Sequence, residues 1–192
     1  MTALRILIAC ETSGVMRRAF AARGHDVWSC DLLPAEDGSN RHIVTDVRDI
    51  LHDGWDLMAV MHPPCTRLCR TGRQWMSGPG KWTQPKRLPR GRSVADLRAP
   101  HIVQPFWFGE PAYKATGFYL RGLPQLLETN RLPEPERGSV EWKAWNAIHR
   151  ASPGPDRWKI RSRTFKGVAE ACADQWGGTA AEAQERTRCA NT

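Results

Sequence analysis

No stretch of the 192-residue chain approaches the roughly 18–20 consecutive apolar residues that cross a bilayer, so no membrane-spanning helix is expected. The apolar run at residues 4–10 is too short, and too soon followed by Glu11, for a secretory signal; the reading places the protein in the cytoplasm. Cysteine is sparse and irregular. The six residues, at 10, 30, 65, 69, 172 and 189, lack the spacing of a disulfide framework, which fits a reducing compartment. A zinc set is missing too: His62, Cys65 and Cys69 could supply three ligands, but no further Cys/His pair follows at zinc spacing. There is no G-x-G-x-x-G fingerprint, and there is no Glu between Glu36 and Glu110. The length excludes most two-domain enzymes and leaves room for one ordinary domain with a self-sufficient core.

What the chain has in excess is positive charge, +8 overall, concentrated in its middle. Residues 1–65 carry 6 basic and 9 acidic side chains, residues 66–103 carry 9 and 1, and residues 104–192 carry 13 and 10. The central set is Arg67, Arg70, Arg73, Lys81, Lys86, Arg87, Arg90, Arg92 and Arg98, interleaved with Gly, Pro, Trp75 and Trp82. Such a composition suits phosphate contacts with stacking on bases, and equally describes a solvated basic loop. Trp28, Trp55, Trp107 and Trp176 sit in apolar elements and are expected in the core. His42, His101 and His149 stand alone and read as surface or core side chains rather than catalytic bases.

The first 65 residues have the grammar of a parallel α/β sheet. Residues 5–10 are a short continuous apolar run, as in a strand buried on both faces. A turn at residues 11–14 leads to a helix over residues 15–23, closed by Gly24. Further strands are expected at residues 25–30, 42–45 and 57–61, with helical crossovers between strands and helices on both faces of a five- to seven-stranded sheet. Glycines and prolines between residues 77 and 101 break every period and predict a loop or disorder. Order should return at residues 103–108 and in the β-rich run 114–120, followed by a helix that Ser139 caps and that runs through His149, and by another at residues 168–176. Residues 1–178 then form one domain, and residues 179–192 a frayed or disordered tail.

Ligands of open α/β sheets bind at the carboxyl ends of the strands. The turn Glu11, Thr12, Ser13 and Gly14 would let a ligand approach backbone at a helix N-terminus. Asp31 follows the second strand, where it could hold two ribose hydroxyls, and Asp46 follows the third, where it could accept from an adenine amine. An ordinary βα turn with a capping carboxylate is the other reading of the same residues. After the fourth strand comes Pro63-Pro64-Cys65: two prolines stiffen the approach to a thiol that Arg67 and Arg70 would activate, or the cysteine is merely structural.

Taken together, these features resemble the cofactor and nucleophile motifs of cytosine-5 DNA methyltransferases, and more closely those of compact phage and prophage proteins of that type. The phrases that carry the resemblance are ACETSG at 9–14, WSCDLLP at 28–34, DGWDL at 53–57, HPPCT at 62–66, KAT at 114–116, GLP at 122–124 and RSRTFKGVAEA at 161–171. They span residues 1–76 and 103–178. The resemblance implies a Rossmann-like methyltransferase fold, S-adenosylmethionine as cofactor, DNA as partner, Cys65 as nucleophile toward C6 of a flipped-out cytosine, and Pro63 with residues 11–14, 31 and 46 around the cofactor. It also implies that residues 161–171 fold back beside the cofactor. One departure is plain. The family places a Glu-Asn motif on the strand after its Pro-Cys loop, to engage N3 of the base; here that part of the chain is the Gly/Pro/Arg stretch, which looks like a deletion or frame scar. The expected function is a DNA cytosine-5 methyltransferase. The alternatives are a catalytically degenerate nucleic-acid binder, or a modifier of another base or of a free nucleotide.

Overall fold

The structure, a computed structural model, describes residues 3–61, 100–148, 150–152, 154, 157–162 and 164–178. Four strands form a parallel sheet in the order β3-β2-β1-β4: β1 Arg5–Ala9, β2 Asp26–Asp31, β3 His42–Val44 and β4 Leu57–Val60. Strand β1 is central because it is apolar on both sides. Ile6 and Ile8 face one way and Leu7 and Ala9 the other, and all four are fully buried. Its register runs Ile6 beside Val27 and Ala9 beside Cys30 on one edge, and Ile6 beside Leu57 and Ala9 beside Val60 on the other.

The two faces are covered differently. On the first, helix α1 (Val15–Ala21) places Met16, Ala19 and Phe20 against Ile6, Ile8 and Val27. On the second, Leu7, Ala9 and Cys30 meet Ile43, Val47, Ile50 and Trp55, which belong to β3, to a 3₁₀ turn at Val47–Asp49 and to the loop before β4. Helices on both faces, as expected from the strand pattern, are therefore not found among the described residues. The reason is local: the β2–β3 connection is only residues 32–41, carries Pro34 and Gly38, and crosses to the next strand as irregular backbone.

The second half adds a two-stranded antiparallel ribbon, β5 His101–Val103 and β6 Thr116–Phe118, separate from the main sheet. Between its strands lies a 3₁₀ turn at Pro105–Trp107. Helix α2 (Val140–Trp145) is capped as expected, Ser139 Oγ accepting from the Trp142 N–H at 3.0 Å. It stops at Trp145 rather than His149, where Asn146 turns its Nδ2 back onto the Trp142 carbonyl at 2.8 Å. Helix α3 (Arg157–Ser162) was not foreseen. Among the described residues the parallel sheet has four strands, and His101, placed by sequence within the broken stretch, begins β5.

The last helix, α4 (Lys166–Trp176), packs Val168, Ala169, Cys172 and Trp176 into the core formed by α1 and β1. Its small residues allow close approach. A Cβ at Gly167 would stand 2.0 Å from the carbonyl oxygen of Phe108, so only glycine fits where α4 meets residues 105–110. Of the tryptophans expected in the core, Trp176 is buried. Trp55 and Trp107 pack at its margin, and Trp28 is half-buried beneath the Arg41 guanidinium, 4.9 Å from its ring centroid. No helix among the described residues is long and apolar enough to cross a membrane.

The close approach at Gly167 makes a specific expectation. Gly167→Ala should lower unfolding stability by about 1–3 kcal/mol through overpacking, whereas Gly154→Ala, with open space around its Cβ position, should be nearly neutral. Urea denaturation of the two variants compares them directly, and equal midpoints would contradict the packing described.

Candidate functional site

The chain leaves β1 through Cys10, whose φ of 57° is left-handed and unusual for a residue with a Cβ. That kink turns Glu11 inward. Its carboxylate is buried beneath the start of α1, where Oε1 accepts from the Met16 N–H at 2.8 Å and from Ser13 Oγ at 3.3 Å, and Oε2 from the Arg17 N–H at 3.3 Å. Glu11 thus fills the N-terminus of the helix that follows it, because the residue at the cap position, Gly14, has no side chain to do so. Burial raises the Glu11 carboxyl above its ordinary value, and the two backbone N–H groups oppose that rise.

Gly14 itself is left-handed at φ 65°, and the space its Cβ would fill is occupied by an ion pair: Arg17 Nη2 and Asp37 Oδ2 both lie 2.6 Å from that point. Arg17 is the residue that sequence reasoning missed. Although it is an arginine on a short helix, it is buried, and its guanidinium donates to Ser29 Oγ at 3.0 Å, Ser39 Oγ at 2.6 Å and Asp37 Oδ2 at 2.6 Å. Arg18 adds a second bond to Asp37. Burial alone would raise the Asp37 carboxyl, but the Ser39 N–H and the two arginines hold it below its ordinary value. Ser29 Oγ continues the chain of bonds to His42 Nδ1 at 2.8 Å, and His42 Nε2 meets the Leu33 carbonyl at 2.9 Å. Because a carbonyl can only accept, Nε2 carries the proton in the neutral ring and Nδ1 accepts from Ser29. The loop after β2 is pinned over the 11–14 turn by this network and by Thr12, whose hydroxyl donates to Glu36 Oε1 at 2.8 Å and whose carbonyl accepts the Glu36 N–H at 2.9 Å.

The acidic residues expected at the strand ends are there, in different conditions. Asp31 closes β2, partly exposed, and accepts one hydrogen bond, from the Leu33 N–H at 3.0 Å. Leu32 and Leu33 beside it are exposed. Asp46 caps the 3₁₀ turn after β3 and is held by the Arg48 backbone N–H and guanidinium, which together bring its carboxyl down to about 2. Both carboxylates bear on Cys10, whose thiol is raised first by burial and then by these two charges. Cys10 is therefore a poor nucleophile.

A cleft of about 370 Å³ opens beside the start of α1, within the range of small-molecule sites. Ser13, Val15, Arg18 and Glu36 line one side; Glu110, Thr164, Phe165 and Lys166 line the other. Of the segment 161–171, which the resemblance places beside the cofactor, Thr164, Phe165 and Lys166 stand on this wall. Asp31 and Asp46 are not part of the cleft lining. Glu110 repeats the arrangement of Glu11: its Oε1 accepts from the Gly167 N–H at 3.1 Å, filling the N-terminus of α4. Lys114 stands 5.9 Å from the Phe165 ring centroid, and burial, followed by repulsion from Arg161, holds its ammonium down to about 8. His42 and His101 both bond carbonyls through their rings, as structural histidines do.

Cys65, Pro63 and the basic residues Arg67, Arg70, Arg73, Lys81, Lys86, Arg87, Arg90 and Arg92, with Trp75 and Trp82, lie outside the described residues, as do His149 and the 179–192 tail. Among the described residues no group of three or more His, Cys, Asp or Glu side chains could hold a metal ion.

Two expectations follow from the buried groups. Arg17→Met removes one buried partner from each of Ser29, Ser39 and Asp37 and should cost roughly 2–3 kcal/mol, with Arg17→Lys restoring only part, since an ammonium cannot reproduce the fork. Limited proteolysis should find residues 32–39 newly cleaved in the Met variant; unchanged cleavage would contradict the clamp. Glu11 titrates above its ordinary 4.5 in the folded chain, so its contribution is full below pH 4.5 and is lost as pH rises through the raised value. Wild-type stability relative to Glu11→Gln should accordingly decline from pH 4.5 toward neutrality in urea titrations, and a flat difference would contradict the burial.

Comparison of the chain with family models, with curated proteins and with solved structures found no match to it, so the functional argument stands on these residues.

Proposed function

We propose that the chain is a compact S-adenosylmethionine-dependent DNA cytosine-5 methyltransferase with a Rossmann-like sheet. The observation that carries the reading is the state of the two helix N-termini at the cleft. Both are filled by the protein's own carboxylates, Glu11 under α1 and Glu110 under α4. A pyrophosphate, the usual guest of such termini, would have to displace a carboxylate from the Met16 and Arg17 N–H groups at the first and from the Gly167 N–H at the second. What the carboxyl ends of the strands offer is acceptors. Asp31 uses one hydrogen bond internally and keeps capacity for the two hydroxyls of a ribose, and the exposed Leu32 and Leu33 give apolar surface for a purine. Asp46 would have to share with Arg48 to accept an exocyclic amine. Such a site suits a cationic adenosine derivative better than a nucleotide, and the donor set fits S-adenosylmethionine. When bound, that cofactor supplies an electrophilic methyl group.

Chemistry at the base is assigned to Cys65 from the sequence. Its thiolate would add to C6 of cytosine, making C5 nucleophilic; after C5 is methylated, loss of the C5 proton expels the thiolate and restores the ring. Pro63 belongs to the same segment. DNA would be held by the basic residues from Arg67 to Arg92.

A second reading has its own observation. The acid that the chemistry needs at N3 of the base is not supplied between Glu36 and Glu110, and Glu110 is engaged with the Gly167 N–H. This favours a catalytically degenerate relative that binds nucleic acid, with a modifier of another base or a free nucleotide as the remaining possibility.

Methyl transfer from labelled cofactor to DNA and to free dCTP, run in parallel, separates the three: label in DNA supports the methyltransferase, label in dCTP the nucleotide modifier, and no label the degenerate binder. Calorimetry should show cofactor affinity falling about 10- to 100-fold in Asp31→Ala, the loss expected for hydrogen bonds to a charged group. DNA containing 5-fluorocytosine should trap a covalent adduct that Cys65→Ser abolishes. An adduct that persists in the Ser variant would remove Cys65 from the mechanism.

A further inference from the structure

Among the described residues only two hydrogen bonds reach residues 32–34, the part of the β2–β3 connection that follows Asp31, and both fall on Leu33. Its N–H donates to Asp31 Oδ1 at 3.0 Å, and its carbonyl accepts from His42 Nε2 at 2.9 Å. Pro34 has no N–H to add a third. The side chains of Leu32 and Leu33 are exposed, so packing does not hold this backbone either. Its shape depends on the grip at Leu33.

The two ends of that grip are unequal. Asp31 and Leu33 form a local turn, which the chain could leave by rotating the side chain or the peptide. His42 comes from another strand, beside Ser29 in the β2–β3 register, and its ring is fixed in turn: Ser29 Oγ donates to Nδ1 at 2.8 Å and accepts from the buried Arg17 at 3.0 Å. The imidazole therefore ties Leu33 to the buried network. With Leu33 held, the N–H that occupies Asp31 Oδ1 is held as well, and the carboxylate cannot turn without losing that bond. Asp31 Oδ2 has no donor among the described residues and remains for a ligand. His101 makes the same kind of bond to the Leu126 carbonyl, but Leu126 gives its N–H to no strand-end acid.

We propose that His42 is a positioning residue for the cofactor: acting through Leu33, it sets the orientation in which Asp31 meets the ribose hydroxyls. The proposal rests on the reading of the strand ends as the site of an adenosine derivative, and adds to it a residue of β3 on which the affinity depends. Hydrogen bonds are directional, so an acceptor held in one orientation binds better than one that must be ordered as the ligand arrives.

Calorimetry of the full chain with S-adenosylhomocysteine, the demethylated cofactor, is the test. An asparagine amide reaches only as far as the Nδ1 of a histidine, whereas a glutamine amide reaches about as far as Nε2 and can still donate to the Leu33 carbonyl. Affinity should therefore fall about 3- to 10-fold in His42→Asn, the worth of one hydrogen bond, and stay within about twofold of wild type in His42→Gln. In an Asp31→Ala background His42→Asn should cause no further loss, because its effect passes through that carboxylate. Equal weakening by Asn and Gln, or an undiminished loss from His42→Asn when Asp31 is already replaced, would overturn the proposal and leave His42 a merely structural residue. Nitrogen-15 NMR of the wild-type imidazole, which requires no variant to fold, should show the Nε2–H tautomer in the neutral ring; the Nδ1–H tautomer would overturn the proposal as well. Wild-type binding that His42→Asn leaves unchanged would remove the positioning role and leave the cofactor reading intact. Absence of binding by wild type would overturn both.

Discussion

The carboxylate of Glu11 is the constraint around which the rest is arranged. It lies where β1 ends and α1 begins, inside the protein, and it replaces the side-chain cap that Gly14 cannot provide. Burying an ionised carboxyl costs several kcal/mol unless donors surround it, and here two backbone N–H groups and a serine hydroxyl do so. The left-handed backbone of Cys10 aims the side chain inward, at an energetic cost of about 1–2 kcal/mol that this position carries because the cap depends on it. With Glu11 in place, α1 starts in one orientation, and Met16 and Phe20 reach the core while Arg17 passes toward β2.

Arg17 turns that local device into a tertiary one. Its three donor bonds tie α1 to β2 through Ser29 and to the following loop through Asp37 and Ser39, and the bond from Ser29 to His42 extends the tie to β3. A connection of ten residues with no helix of its own is thereby held in one shape. This matters for a ligand because Asp31, Leu32 and Leu33 sit on the first residues of that loop. Their placement depends on a buried cation some distance away, and a ligand at the strand ends would meet an acceptor that is already oriented.

The parts of this arrangement that were legible in the sequence are those that depend on local pattern. Strands β1 to β4 lie within a residue or two of expectation, because a run such as Ile6-Leu7-Ile8-Ala9 has few other ways to bury itself, and α4 is legible from Val168, Cys172 and Trp176. The turn at 11–14 was legible as a turn, and Asp31 and Asp46 as strand-end acids. What could not be read is what depends on tertiary partners. Arg17 follows Arg18's pattern of charge and gives no hint of burial; the serines and aspartate that accept from it are 12 to 22 positions away. That Asp46 is tied to Arg48, two residues on, had a signal, since an Asp before a 3₁₀ turn is an ordinary cap. The absence of a helix after β2 was also signalled, by Pro34 and Gly38, but the general habit of parallel sheets outweighed it. Helix α3, six residues without a clear apolar period, offered nothing to detect.

Charged groups of both signs gather around the strand ends and the cleft. The strand ends carry Asp31 and Asp46, the latter tied to Arg48, and the cleft is lined by Glu36 and Glu110 together with Arg18 and Lys166. Arg157 and Arg161 stand on α3, and Lys114 lies 5.9 Å from the ring centroid of Phe165, itself part of the far wall of the cleft. Gly167 and the Glu110 carboxylate hold the start of α4 against residues 105–110, and so set where that wall of the cleft stands. A change at Gly167 would then shift that wall, which makes the glycine a structural requirement with a reach into the cleft.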